Sequence, residues 1–169
     1  MTSQRLNEDI RLGDKVARIT QQQKAENLEK YNAEILNIFW EEGITAVTYT
    51  RLSKELNITQ STLQGYYPSS GDFSLALKDR LHPVLVKPLT FESEDAFFSS
   101  WDEAMKEKTF QHIVELKLRT ASLSSPSPID ARGFKKFENL LEEHFGSKHR
   151  AILERVLGRS VLLLAQYDE

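Results

Sequence analysis

Residues 43–73 read GITAVTYTRLSKELNITQSTLQGYYPSSGDF, and their punctuation decides the fold. Thr48 or Thr50 can cap a short helix carrying Leu52 and Leu56, because a threonine hydroxyl satisfies one of the backbone N–H groups left open where a helix starts. Asn57 suits the left-handed turn that ends such a helix. Thr59 then caps a second short helix running to about Tyr66, and Pro68 forbids simple continuation. Two short helices joined by Asn57-Ile58-Thr59 spell a helix-turn-helix, in which the second helix enters the DNA major groove and the first braces it.

Working upstream, Leu28, Tyr31, Ile35, Ile38 and Phe39 form the apolar stripe of a long helix that stops at Gly43. Before it, Leu12, Val16 and Ile19 have the spacing of a short amphipathic helix starting near Asp14. Downstream, Ser69 or Ser70 starts a helix with Phe73, Leu77, Leu81, Val84 and Leu85 inward; Pro83 should kink it or end it early, and Pro88 closes it. Ser93 caps a helix burying Phe97, Trp101, Ala104 and Met105, and Thr109 caps one burying Phe110, Ile113, Val114 and Leu118. Ser122 to Pro128 (SLSSPSP) reads as a loop. A stripe of Phe134, Phe137, Leu141 and Phe145 then ends at Gly146, and Ser147 caps a final helix with Leu153, Val156, Leu157, Val161 and Leu164. No stretch sustains the alternation of a strand, so the expected class is all-α with about eight helices. The expected division is a basic N-terminal arm at 1–25, a helix-turn-helix DNA-binding domain at 26–87, and a helical dimerisation and effector domain at 88–169.

Composition removes whole classes of function. The 169 residues carry 22 Lys and Arg against 25 Asp and Glu, a formal charge of −3 that names no partner by itself. Cysteine is absent, which excludes disulfide frameworks, thiolate zinc sites and cysteine nucleophiles together. The longest apolar run, Val161 to Ala165, is far below the roughly 20 residues of a membrane helix, and the polar start MTSQRLNEDIRLGDK lacks a signal peptide's apolar core. The expectation is a soluble, cytoplasmic protein with no membrane association. His144 and His149 miss the i, i+4 spacing of a helical metal pair, and no Gly-rich phosphate loop, Gly-x-Ser-x-Gly elbow or His-Glu-x-x-His pattern occurs. Neither an enzyme, a cofactor nor a metal is expected.

The spelling of the stretch resembles the DNA-binding domain of the TetR family of bacterial transcriptional regulators. Gly43, Ala46, Thr48, Leu52, Ile58, Thr59, Thr62, Leu63, Tyr66, Tyr67, Pro68 and Ser69 match that family's pattern in place or by close analogues, without a gap. Three positions depart from it: Ser70 stands where the family carries a phosphate-binding lysine, Gln64 where it has tyrosine, and Gly65 follows. The resemblance implies a homodimeric repressor on the two half-sites of a palindromic operator in double-stranded DNA, with a small-molecule effector to release it.

Thr48 and Thr59 open helix N-termini that favour a phosphate. Gln60, Ser61, Thr62 and Gln64 lie on the recognition helix, and glutamine can bond adenine bidentately. Tyr66 and Tyr67 sit where a hydroxyl can reach phosphate, with Ser70 beyond them. Between Glu26 and Lys87, six bases face eight acids, so this unit should hold random DNA poorly. The arm has five bases, Arg5, Arg11, Lys15, Arg18 and Lys24, against Glu8, Asp9 and Asp14. An effector pocket would be lined by Phe97, Trp101 and Phe110, residues whose helical spacing equally suits a core. A dimer seam would use Phe137, Leu141, Leu153, Val156, Leu157, Val161 and Leu164; the alternative is that these close a monomeric core. The rival function is a TetR-like protein-interaction module with weak or no DNA binding.

Overall fold

The computed structural model of the chain describes residues 19–122 and 128–165. It is all-α: α1 Gln21–Glu42, α2 Tyr49–Leu56, α3 Gln60–Gln64, α4 Ser74–Leu77, α5 Leu81–Val86, α6 Glu94–Ala104, α7 Lys108–Ala121, α8 Pro128–Phe145 and α9 His149–Ala165. Short 3-10 turns occupy Ile44–Ala46, Ser70–Phe73 and Gly146–Lys148.

Thr20 caps α1 by accepting from the Gln23 N–H at 3.2 Å. The helix therefore begins at Gln21, within the last five residues of the segment expected to be an arm. The Leu12–Val16 helix and most of the SLSSPSP loop lie outside the described residues. Tyr31, Ile35, Ile38 and Phe39 bury the α1 stripe, whereas Leu28 stays 38% exposed, one turn short of the core. Gly43 ends α1 at φ +82°, where a side chain would be strained and a Cβ would come within 3.2 Å of the His112 ring on α7. This glycine is a close approach between the two halves of the chain.

The largest departure from expectation lies between Ser69 and Pro88. The Phe73–Leu85 stripe does not form one helix; α4 stops at Leu77, Asp79 turns left-handed at φ 60°, and α5 restarts at Leu81. Proline explains where the restart falls. Placed in the first turn of α5, Pro83 lacks an N–H that no helical carbonyl would have received, so a break before it costs less than a kink at it. Thr109 is not a cap either, since α7 begins at Lys108 after Glu107 with no side-chain cap, and Ser147 falls within the 3-10 turn before α9. Ser93 does cap α6, accepting from the Ala96 N–H at 3.1 Å.

The core is continuous across Pro88. α1 packs on α2 and α4 of the first half and on α7 of the second, while α8 packs on α7 and α9. Trp101 of α6 donates its Nε1–H to the buried Ser160 hydroxyl of α9 at 3.0 Å, and that hydroxyl donates to the Val156 carbonyl at 2.7 Å. This pair satisfies the polar end of a large apolar ring.

Candidate nucleic-acid interface

Thr48, rather than Thr50, caps α2: its Oγ1 accepts from the Arg51 N–H at 3.1 Å. Asn57 ends α2 in the left-handed conformation at φ 52°, and Ser53 braces the turn by donating its hydroxyl to the Ile58 carbonyl at 2.6 Å. Thr59 caps α3 by accepting from the Thr62 N–H at 3.2 Å, and its hydroxyl lies 2.9 Å from that of Thr62. Leu63 is fully buried, so α3 is pinned by one side chain while Gln60, Ser61, Thr62 and Gln64 remain exposed. Gln60 Nε2 donates to Thr50 Oγ1 at 3.3 Å, linking the short helix to its brace.

The two tyrosines part company. Tyr66 is half-buried, its ring packs edge-on to Tyr31 at 5.0 Å, and its hydroxyl accepts from Asn27 Nδ2 at 3.1 Å. Tyr67 is wholly buried and donates its hydroxyl to Asn32 Oδ1 at 2.7 Å, with Phe73 at 5.3 Å. Burial, then the neighbouring Tyr31, pushes its phenol well above the ordinary range, so it stays a donor. Tyr67 is therefore a core residue and no phosphate ligand. Tyr49 of α2 also donates to the Tyr67 carbonyl, which the sequence reading overlooked. Tyr67→Phe orphans Asn32 and should lower unfolding free energy by about 1–2 kcal/mol in urea titrations, leaving base preference on DNA unchanged.

Electrostatics at this surface are weak. Arg51 contacts Glu42 and Glu55, each at 2.7 Å, so the one arginine of the brace is already neutralised. At Ser70, exposed as expected, the neighbouring Asp72 carboxylate takes both the N–H and the hydroxyl of Ser69, at 2.7 and 2.8 Å. An incoming phosphate there would meet an acid.

Phe97, Trp101 and Phe110 are buried and pack on one another, Trp101 standing edge-on to Phe110 at 5.1 Å. Phe137, Leu141, Leu153 and Val156 are likewise buried within one chain and have no surface left to give a second copy. Leu157 and Leu164 are half-buried, and Val161 is 50% exposed beside Leu162 at 66%.

A cavity of about 170 Å³ does occur, between α4, α5, α7 and α8, with His82 in its wall. Burial, then Lys136 and Lys117, holds the His82 imidazole below its ordinary value of 6.5. The unfolded chain therefore takes up this proton first as pH falls, and stability present at pH 7 declines below about 6.5. Lys78, Asp79, Lys117, Arg132 and Lys136 also face this cavity. Urea unfolding across this range should show the decline, and His82→Gln should flatten it.

Among the described residues no cluster suits a metal ion, and no helix is long and apolar enough to cross a membrane. A comparison with curated proteins finds no match. A family model described as the tetracycline repressor LuxT C-terminal domain matches residues 78–164, just over half of the chain. That span lies wholly outside the short helices of residues 48–64, so the match rests on the C-terminal half of the chain. The chain belongs to the TetR family of transcriptional regulators, with a C-terminal domain of the LuxT type.

Proposed function

We propose that the protein is a sequence-specific DNA-binding regulator, acting as a repressor on a palindromic operator and released by a small effector. The observation that carries this reading is α3: a capped helix held by the buried Leu63, offering Gln60, Ser61, Thr62 and Gln64 to a groove. Thr48 and Thr59 keep their hydroxyls on backbone N–H groups, which leaves the remaining open N–H groups of each first turn for phosphate. Tyr66, half-buried and hydrogen-bonded to Asn27, keeps a hydroxyl proton that a phosphate could accept.

Homodimerisation is supported by α9. Gly158, Val161, Leu162 and Ala165 are all exposed and recur at helical spacing on one face. A Cβ at Gly158 would meet nothing within 4 Å, so a second helix could approach closely there. A two-fold pair of recognition helices would read two half-sites.

The neutralised Arg51 favours the rival reading, an interaction module that touches DNA weakly. Selection of bound duplexes from fragmented genomic DNA of the source separates the two. A regulator enriches a palindrome with half-sites one helical turn or a multiple apart; an interaction module enriches nothing.

A further inference from the structure

The adjacent tyrosines that follow α3 each meet an asparagine of α1, and the two pairs are polarised in opposite directions. Tyr67 gives its proton to Asn32 Oδ1 at 2.7 Å, so its hydroxyl is committed inside the protein. Tyr66 instead receives one, because Asn27 Nδ2 donates to its hydroxyl oxygen at 3.1 Å. A phenol hydroxyl has one proton of its own to give, and among the described residues the Tyr66 proton has no acceptor. The Tyr66 ring is held edge-on to the buried Tyr31 at 5.0 Å, which fixes where its hydroxyl stands. Asn27 and Tyr66 are 39 residues apart and both half-buried, so this contact exists only because α1 passes the end of α3.

With the Asn27 amide occupying its oxygen, the Tyr66 O–H bond must point away from Asn27. Accepting a hydrogen bond also polarises the O–H group and strengthens it as a donor. A phosphate oxygen only accepts, and its charge makes it the stronger partner for such a donor. Of the charged residues within a turn of Asn27, the exposed Lys24 and Lys30 flank it on its own face of α1. Glu26 and Glu29 stand about 100° and 160° round the helix from it. A phosphate approaching here meets cations, unlike one approaching Ser69 and its Asp72 partner. We propose that Asn27 is a positioning residue for DNA: it directs the Tyr66 hydroxyl proton onto one backbone phosphate in each half-site. Asn27 acts through Tyr66, and the contact fixes the seating of the head on the duplex without reading a base. The inference rests on the DNA-binding reading above and assigns it a residue of α1, outside the helix-turn-helix.

The test places methylphosphonate linkages, which lack the charged oxygen, one position at a time in both half-sites of the selected palindrome. Each duplex is titrated with the full chain as wild type, Tyr66→Phe, Asn27→Asp and Asn27→Ala. One linkage should cost wild type about tenfold in affinity and cost Tyr66→Phe nothing, because that variant has already lost the contact. Asn27→Asp should be equally indifferent to that linkage, since the aspartate accepts the Tyr66 proton and holds it inside. Mere repulsion by the new charge would act at every linkage alike. Asn27→Ala removes the donor without supplying an acceptor and should lose part of the penalty. Base preference should be the same in all four proteins. Melting curves show whether each variant is folded, and Asn27→Ala carries the test if the aspartate unfolds the chain. A scan in which every linkage costs Tyr66→Phe as much as wild type overturns the phosphate contact. A penalty lost in Tyr66→Phe but kept in full by the folded Asn27 variants overturns the positioning role. Both results leave the DNA-binding reading standing, whereas a wild type that selects no palindrome removes that reading and this proposal together.

Discussion

The double replacement Gln60→Ala with Gln64→Ala should erase most of the preference for the operator while leaving the fold intact. Both side chains are exposed on α3; Gln60 makes only a long 3.3 Å contact to Thr50, and Leu63 and the Thr59 cap hold the helix. A bidentate glutamine–adenine pair contributes about 1–3 kcal/mol of discrimination, and each substitution occurs in both half-sites of a dimer. The summed loss is therefore several kcal/mol, enough to bring specific binding near the non-specific level. Electrophoretic titration of the selected palindrome against scrambled duplex, with circular dichroism as a check on folding, measures it. An unchanged ratio between the two duplexes would make α3 a structural helix and favour the interaction module.

The second large effect concerns assembly. Val161→Glu with Leu162→Glu places two charges on the exposed face of α9, whereas a charge at Val156 would sit in the core of one chain and unfold it. The double variant should melt within a few degrees of wild type and sediment as a monomer at tens of micromolar. Operator affinity should fall by about a hundredfold or more, because a monomer engages one half-site alone. A variant that remains dimeric would move the seam elsewhere, and a monomeric wild type would remove it altogether.

Much of this architecture was legible because its determinants are local. Thr48, Asn57, Thr59 and Ser93 act on N–H and C=O groups within a turn of themselves, so sequence spacing alone locates the helix-turn-helix. The Arg51–Glu55 contact is a four-residue helical pair of the same kind, but Glu42 joins it only because α1 ends beside α2. Tyr67 illustrates the opposite limit. Its place after α3 suited a phosphate contact, yet Asn32, far back on α1, draws its hydroxyl inward. The aromatic trio and the α8–α9 stripe were recognised as apolar, but which face meets which neighbour is set by packing among helices distant in sequence. The cavity was invisible for that reason: its walls come from four helices, and its cations are scattered from Lys78 to Lys136.

α1 has a consequence beyond positioning. It serves α2 and α4 on one side and α7 on the other, with Gly43 set against His112 at its end. Helices on both sides of Pro88 are thereby tied to one shared element, and a single heat-capacity peak in calorimetry is the expected outcome. On that arrangement, opening of the second half should strip α1 of one of its packed sides and destabilise the first half with it. Limited proteolysis should then yield no stable half-length fragment.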